Sequence, residues 1–259
     1  MTSDTDIRTS SPGMKTPSVN TVAHDQPWVW LQRGWRDLAA TPKVSLAYGC
    51  GIVAASWILF ELLWVADWTW LVLPMAGGFL LLAPVMAVGL YEASRRLEAG
   101  QPVVLGEVLR VFLHRPQIMV FGVVLLLLHF AWMRTAMLWF VLYFHQGTPP
   151  LSQIPVYMLD PNNLPFLVIG TAMGAGFAFI TFAVSAVSLP LMMDRQIDVI
   201  SAILISLRAI WANPRAMLLW AGLIAGCTFV GLATFFFGLG LLFPLVGHAT
   251  WHAYRDLVD

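Results

Sequence analysis

Residues 216–250 read AMLLWAGLIAGCTFVGLATFFFGLGLLFPLVGHAT, a run of 35 residues without a formal charge. A membrane-spanning helix needs about 20 apolar residues to cross about 30 Å of hydrocarbon. The run is too long for one span and is expected to hold two, turning near Gly238 and Gly240. Four more apolar runs lie upstream. Val44–Val65 is interrupted only near its end by Glu61, and Trp68–Tyr91 follows after a minimal turn at Asp67. Ile118–Phe144 carries His129 and Arg134, and Leu164–Met193 is the fourth. The expected fold is an all-α polytopic membrane protein with six transmembrane helices.

Composition agrees. Of 259 residues, 59% are apolar and only 11% are charged, where an average soluble domain has roughly 25% charged. This excludes a disordered chain and an ordinary soluble enzyme. Lys plus Arg and Asp plus Glu are 14 each, so there is no positive excess to attract nucleic acid. Cys50 and Cys227 sit inside apolar runs without C-x-x-C partners and read as small core residues. Residues 1–27 are rich in Thr, Ser, Asp and Pro and read as a disordered polar tail. No apolar h-region marks this stretch as a signal peptide, so the first span is expected to act as an uncleaved anchor. The remaining 28–259 form the membrane domain.

The basic residues set the orientation. Arg8, Lys15, Arg33, Arg36 and Lys43 precede the first span. Arg95, Arg96, Arg110 and Arg115 fall in the connection 92–117, Arg195, Arg208 and Arg215 in 194–215, and Arg255 near the C-terminus. The alternate connections, at 66–67, 145–163 and near 238, hold none. By the positive-inside rule both termini are cytoplasmic. Another span count would scatter these charges over both faces. Trp64, Trp68 and Trp70 crowd the first outer turn as an interfacial aromatic belt would.

A local pattern recurs before each odd-numbered span. Arg36 precedes Pro42 by six residues, Arg110 precedes Pro116 by six and Arg208 precedes Pro214 by six. Arg96 and Pro102 share the spacing without opening a span, so context and charge side carry the pattern. Upstream of each proline lies an amphipathic stretch. Its apolar stripe is Trp28, Leu31, Trp35 and Leu38 in the first, and Leu105, Val108, Leu109 and Phe112 in the second. In the third it is Ile200, Ile203, Leu204, Leu207 and Trp211. Such helices lie in the membrane interface, apolar face down. Proline ends the helix before it and suits the first position of the next; Thr41 and Asn213 can cap the new helix. The chain thus reads as an internal repeat of three units, 28–98, 102–193 and 198–259. Each is an interfacial elbow helix followed by a transmembrane hairpin. The returning helices carry Pro84, Pro190 and Pro244, expected to kink them. Gly170 and Gly174, Gly222 and Gly226, and Gly51 and Ala55 show the small-xxx-small spacing of closely packed membrane helices.

Arg33-Gly34-Trp35-Arg36-Asp37-Leu38, Ser206-Leu207-Arg208 with Asn213-Pro214, and the ending Gly247-His248-Ala249-Thr250-Trp251-His252-Ala253-Tyr254-Arg255 carry a resemblance. The chain resembles a bacterial family of predicted integral membrane proteins, Domain of Unknown Function 2189, over roughly residues 28–259. The C-terminal block is the specific part of this likeness. The resemblance implies a bacterial inner-membrane protein and no catalytic activity.

Three groups of residues could carry chemistry. Arg134 and Glu61 lie 18 and 19 residues after the prolines that open their spans, hence at about the same depth, some 27 Å along the helix. They either pair near the outer leaflet or snorkel separately to the interface. His129, one turn deeper, reads as a proton relay, haem ligand or quinone contact, or as a hydrogen bond to a neighbouring helix. His248 and His252 share a helical face beside Trp251, Tyr254 and Arg255. Without a third ligand they suggest a docking patch for the elbow helices or lipid headgroups rather than a metal site. The connection 145–163, with four prolines and one charge at Asp160, is either a plain crossing or a lid or partner contact.

No phosphate loop, nucleophile elbow or carboxylate pair is present, and no cofactor or metal is implied. The expected role is a non-enzymatic scaffold, lipid-interacting protein or accessory subunit. Its partners would be membrane lipids, a membrane protein or a second copy, and not nucleic acid. A small transporter or channel is the alternative, with Arg134 and Glu61 as motive. An enzyme acting on lipid headgroups through His248 and His252 is a third reading.

Overall fold

The structure is a computed structural model and describes residues 17–144, 156 and 160–259. Its principal helices are α1 (Gln26–Ala40), α2 (Pro42–Val65), α3 (Val72–Met86), α4 (Val88–Glu98), α5 (Leu105–His114), α6 (Pro116–Tyr143), α7 (Leu164–Ser185), α8 (Ser188–Asp194), α9 (Val199–Ala212), α10 (Pro214–Ala233) and α11 (Leu239–Leu257). Among the described residues, β pairing is confined to one antiparallel bridge, Val19 to Val258. Five helices are long and apolar enough to cross a membrane: Pro42–Val65, Pro74–Glu98, Pro116–Tyr143, Pro161–Asp194 and Pro214–Ala233. The helix α11 is not among them; its last three turns carry His248, His252, Arg255 and Asp256.

Pro42, Pro116 and Pro214 are the first residues of α2, α6 and α10. Their fixed backbone angle and missing N–H suit that position. The caps expected of Thr41 and Asn213 do not form. The Thr41 hydroxyl instead donates back to the Asp37 carbonyl at 2.9 Å. The Asn213 amide accepts from Val22 N at 2.7 Å and donates to Asn20 O at 2.8 Å. Asn213 thereby holds residues 17–25, which composition assigns to the tail. Asn20 N also donates to the Leu257 carbonyl at 2.9 Å and Asp259 N to that of Ser18 at 3.2 Å, so this segment runs beside the C-terminus. Residues 1–16 lie outside the described residues, as do 145–155 and 157–159 of the long connection.

The returning helices are broken near Pro84 and Pro190, and hydroxyls on other helices repair both breaks. Between α3 and α4, Leu90 N bonds to Ala87 O, which frees the Met86 carbonyl; the Tyr48 hydroxyl on α2 donates to it. Between α7 and α8, the Ser206 hydroxyl on α9 donates to Ala183 O at 2.8 Å and accepts from Val187 N at 3.3 Å. One side chain thus bridges the two groups that an unbroken helix would join. Pro244 stays within continuous α11.

The turn between α10 and α11 comes at Thr234–Gly238. Phe235 and Phe236, rather than the glycines, take positive φ of 52° and 70°. The Thr234 hydroxyl pins the turn, accepting from Gly238 N and donating to Val230 O, each at 2.9 Å.

Helix α11 is the packing centre. It lies against α1, α2, α4 and α10, and α2 packs chiefly on α11 rather than on its sequence neighbour α3. The helix α3 packs on α6 and α7. Two glycines permit the close approach to α11. A Cβ at Gly34 would stand 2.7 Å from Ala249 N, and one at Gly49 would stand 2.0 Å from Gly240 O. The expected small-residue contacts behave differently. Nothing lies within 4 Å of a Cβ built at Gly51, Gly222 or Gly226, while Gly170 and Gly174 accommodate the rings of Trp139 and Trp132. The sequence spacing marks small faces, but no helix among the described residues closes on the first three.

The buried faces of the elbow helices coincide only in part with their apolar stripes. In α1 the buried residues are Pro27, Trp30, Gly34 and Leu38, while Trp28 and Trp35 are half exposed. In α9 they are Ala202, Ile205, Ser206 and Ala209; Ile200, Leu204 and Trp211 face outward. In α5 Val108 is buried and Leu109 is half exposed.

Gly49→Ala is expected to destabilise the protein by about 1–3 kcal/mol through overpacking against α11. Gly222→Ala should be neutral or stabilising, by at most about 1 kcal/mol from helix propensity. Thermal unfolding in detergent compares the two.

Candidate functional site

Two features stand out: a polar clasp at the end of the bundle where α4, α8 and α11 finish, and an apolar cleft along its length.

The clasp joins α1 to α11. The Asp256 carboxylate accepts from Gln26 Nε2 at 2.7 Å, Trp30 Nε1 at 2.9 Å and Arg33 at 2.8 Å. Burial alone would raise this carboxyl, but the donors from Gln26, Arg33 and Trp30 outweigh it and hold Asp256 below its ordinary range. One turn away, His252 Nε2 lies 2.8 Å from Asp37 Oδ2. The same Asp37 oxygen accepts from Ser94 Oγ at 2.6 Å. Ser94 Oγ is 2.8 Å from His248 Nδ1, and Ser45 Oγ is 2.8 Å from His248 Nε2. Because Ser94 spends its proton on Asp37, it accepts from Nδ1–H, and Nε2 is left to accept from Ser45. Four helices, α1, α2, α4 and α11, are linked by this chain.

A serine donating to an imidazole is an arrangement that can activate a nucleophile. Here Ser45 and His248 are fully buried, Ser94 is 1% exposed, and none of the three lines the cleft. In this structure the bonds run between helices. The neighbouring residues are used the same way. Trp251 Nε1 donates to Glu98 at 2.9 Å, Arg255 bonds to Glu98 at 3.0 Å, and the Tyr254 hydroxyl donates to Asp194 at 2.6 Å. Glu92 binds Arg95 and Arg96, and Arg96 also reaches Glu107. Among the described residues no three His, Cys, Asp or Glu side chains come together as a metal set.

The intramembrane residues are placed apart. Glu61 and Arg134 are both exposed, and among the described residues no ion pair joins them. Helix α2 packs on α11 and α6 on α3, which separates them. The pairing considered from their depths is therefore not formed. His129 is buried, with Nδ1 3.3 Å from the Gly78 carbonyl of α3, a bond between neighbouring helices. Among the elbow residues, Arg36, Pro42, Arg110, Pro116, Arg208 and Pro214 are all exposed.

The cleft is a space of about 880 Å³. Helices α7 and α10 form its two sides, with α3, α6 and α11 behind them. Along α7 its lining runs from Phe166 to Ser185, about 28 Å at 1.5 Å per residue. Gly170, Gly174, Ala221, Gly222 and Ala225 keep it open, and no described lining residue is charged. Sequence reasoning missed this cleft; its trace was the set of small residues on α7 and α10, read there as helix contacts.

Residues 71–194 match a known family model. The family is described as predicted integral membrane protein (DUF2189). The DUF2189 match bears out the resemblance seen in the sequence, over the part from the start of α3 to the end of α8. The motifs that carried the resemblance, at 33–38, 206–214 and 247–255, lie outside the matched stretch. No curated protein and no solved structure matches the chain.

Asp256→Asn is expected to cost about 1–3 kcal/mol by weakening charge-assisted bonds to α1. Faster amide hydrogen exchange in α1 would show it, while Arg134→Gln should leave stability within about 0.5 kcal/mol. The pH dependence follows from the lowered Asp256 carboxyl. Its contribution is complete above the ordinary carboxylate value of about 3.9 and is lost as pH falls through the lower folded value. Hydrogen exchange of α1 across an acid titration measures it.

Proposed function

We propose that the chain is a non-enzymatic, lipid-interacting protein of the bacterial inner (cytoplasmic) membrane. Six spans, paired as three hairpins, cross it in this reading, with α11 supplying the sixth. Both termini are cytoplasmic, and α1, α5 and α9 are interfacial elbows.

The observation that carries this reading is the outward face of the elbows. Trp28 and Trp35 on α1, Leu109 on α5 and Ile200, Leu204 and Trp211 on α9 are all exposed, Trp211 to 82%. Each of these helices buries one face against the bundle, with Trp30 and Leu38 on α1, Val108 on α5 and Ile205 on α9, and still turns bulky apolar side chains away from it. In water such a stripe would forfeit about 25 cal/mol per Å² of burial; at the headgroup boundary it is covered. Trp64 and Trp68, also more than half exposed, lie at the far end of α2, some 36 Å of helix from its start. Two aromatic belts separated by about one bilayer support the assigned depth. The basic residues, clustered at the clasp end, support the orientation.

Lipid contact fits better than a path for polar solutes. Arg134 and Glu61 face outward, and the cleft has no charge among its described lining. An exposed Arg134 at the outer edge of α6 is suited to a lipid phosphate.

Single cysteines in a background lacking Cys50 and Cys227 test the topology. A membrane-impermeant maleimide applied to intact cells should label Asp160→Cys. It should label Gln101→Cys and Asp259→Cys only after permeabilisation. Labelling of Asp259→Cys in intact cells would refute cytoplasmic termini and six spans together.

A further inference from the structure

We infer that α1 and α9, together with the residues that open α2 and α10, form a docking surface selective for anionic phospholipid headgroups. The inference rests on the lipid-interacting reading above and names the class of lipid and the cations that select it.

The charge balance at this end of the bundle carries it. The chain as a whole is neutral, but its acidic side chains here are spent internally. Asp256 holds Arg33, Glu92 holds Arg95 and Arg96, and Glu98 and Asp194 hold Arg255. Asp37 is occupied by His252 and Ser94. Arg36, Lys43, Arg208 and Arg215 are exposed, and among the described residues none of the four has a hydrogen bond or an ion pair. Asp25 and Asp198 stand at the starts of α1 and α9. They precede Arg36 and Arg208 by eleven and ten residues, or about 15 Å of helix. The unmatched charge at the C-terminal ends of these two helices is therefore positive.

The two elbows repeat one arrangement. In each, an arginine lies six residues before the proline and a basic residue directly follows it: Arg36, Pro42 and Lys43 in the first, Arg208, Pro214 and Arg215 in the third. An exposed tryptophan accompanies each arginine, Trp35 beside Arg36 and Trp211 one turn after Arg208. On α9, Ile200, Leu204, Arg208 and Trp211 are all exposed, and their helical spacing puts apolar and charged side chains on one stripe. The elbows are also neighbours. Val22 N, just ahead of α1, donates to Asn213 between α9 and α10 at 2.7 Å, and the Trp30 ring meets Trp220 edge-on at 5.6 Å. The elbow at α5 lacks this arrangement: Gln117 follows Pro116, and Arg115 donates to the Met192 carbonyl at 3.4 Å.

Chemistry selects the occupant. Tryptophan favours the headgroup level, and arginine binds phosphate oxygens through parallel N–H donors. The apolar side chains interleaved with the cations require an occupant that offers hydrocarbon and phosphate side by side, which a soluble acidic protein does not. A zwitterionic headgroup carries its own cation and leaves these four uncompensated. A phosphodiester of net negative charge neutralises them.

The test uses the full-length protein in nanodiscs of equimolar dioleoyl-phosphatidylglycerol and dioleoyl-phosphatidylcholine. After mild detergent extraction and gel filtration, the retained lipids are quantified by mass spectrometry. Wild type should retain phosphatidylglycerol at least about threefold over phosphatidylcholine, and high salt should lower that ratio. Arg36→Gln with Lys43→Gln, and Arg208→Gln with Arg215→Gln, should each reduce the preference, and all four together should abolish it. Arg36→Lys, Arg208→Lys and Arg215→Lys together keep the charge and should keep most of the preference. Because the four side chains are exposed, every variant should unfold at the wild-type midpoint. Retention without preference in the wild type, or an undiminished preference in the fourfold Gln variant, overturns the inference and leaves the lipid-interacting reading intact. Inorganic phosphate at matched ionic strength should not displace the lipid; displacement would mark a free-anion site and overturn the inference as well. Failure of the cysteine topology would instead bring down the reading on which the inference rests.

Discussion

Asp256, one carboxylate near the end of the chain, accepts three hydrogen bonds from the first helix, and the rest of the arrangement depends on this closure. Its donors, Gln26, Trp30 and Arg33, occupy one face of α1. With Gly34 set against Ala249, they fix α1 across the polar half of α11. Behind them His248, held between Ser45 and Ser94, carries the connection to α2 and α4. A membrane interior offers little hydrophobic drive for one helix to choose another. Buried polar groups with complete hydrogen bonding supply the choice, because any other pairing would leave them unsatisfied.

The proline breaks obey the same constraint. A break in a membrane helix exposes backbone groups that no water can reach. Tyr48 and Ser206 each reach from a different helix to the group set free. These bonds join α2 to the α3–α4 break and α9 to the α7–α8 break, so each kink also determines which helix lies beside it. Hydroxyls that would be unremarkable on a soluble surface therefore act as points of tertiary specificity.

The cleft is the counterpart of this tight end. Where the clasp draws α1, α2, α4 and α11 together, α7 and α10 diverge and leave small residues facing open space. Packing density in a protein interior is normally high, and a separation of this length between helices leaves room for a ligand or lipid. The DUF2189 match covers α7 and leaves α10 and α11 outside, so the matched stretch contributes only part of the cleft wall.

Much of this protein could be read from the chain. Apolar runs longer than a bilayer is thick set the all-helical membrane class, and Pro42, Pro116 and Pro214 marked where helices begin, because helix length and proline sterics are local properties. The amphipathic stripes were legible for the same reason, though they divide: Leu38 and Val108 are buried in the bundle while Trp28, Trp35, Ile200 and Trp211 face away from it. Partner choice was not legible. The depths of Arg134 and Glu61 were comparable, but depth along a helix says nothing about azimuth, and both face outward. The role of His248 depended on Ser45 and Ser94, which are 203 and 154 residues distant. The same limit applies to the glycines: their spacing announces a small face, and only the tertiary structure decides whether another helix closes on it, as α11 does at Gly49, or a cleft is left, as at Gly222. Local sterics and hydrophobic length are written in the sequence by itself; azimuth and long-range hydrogen bonding exist only once all the helices are in place.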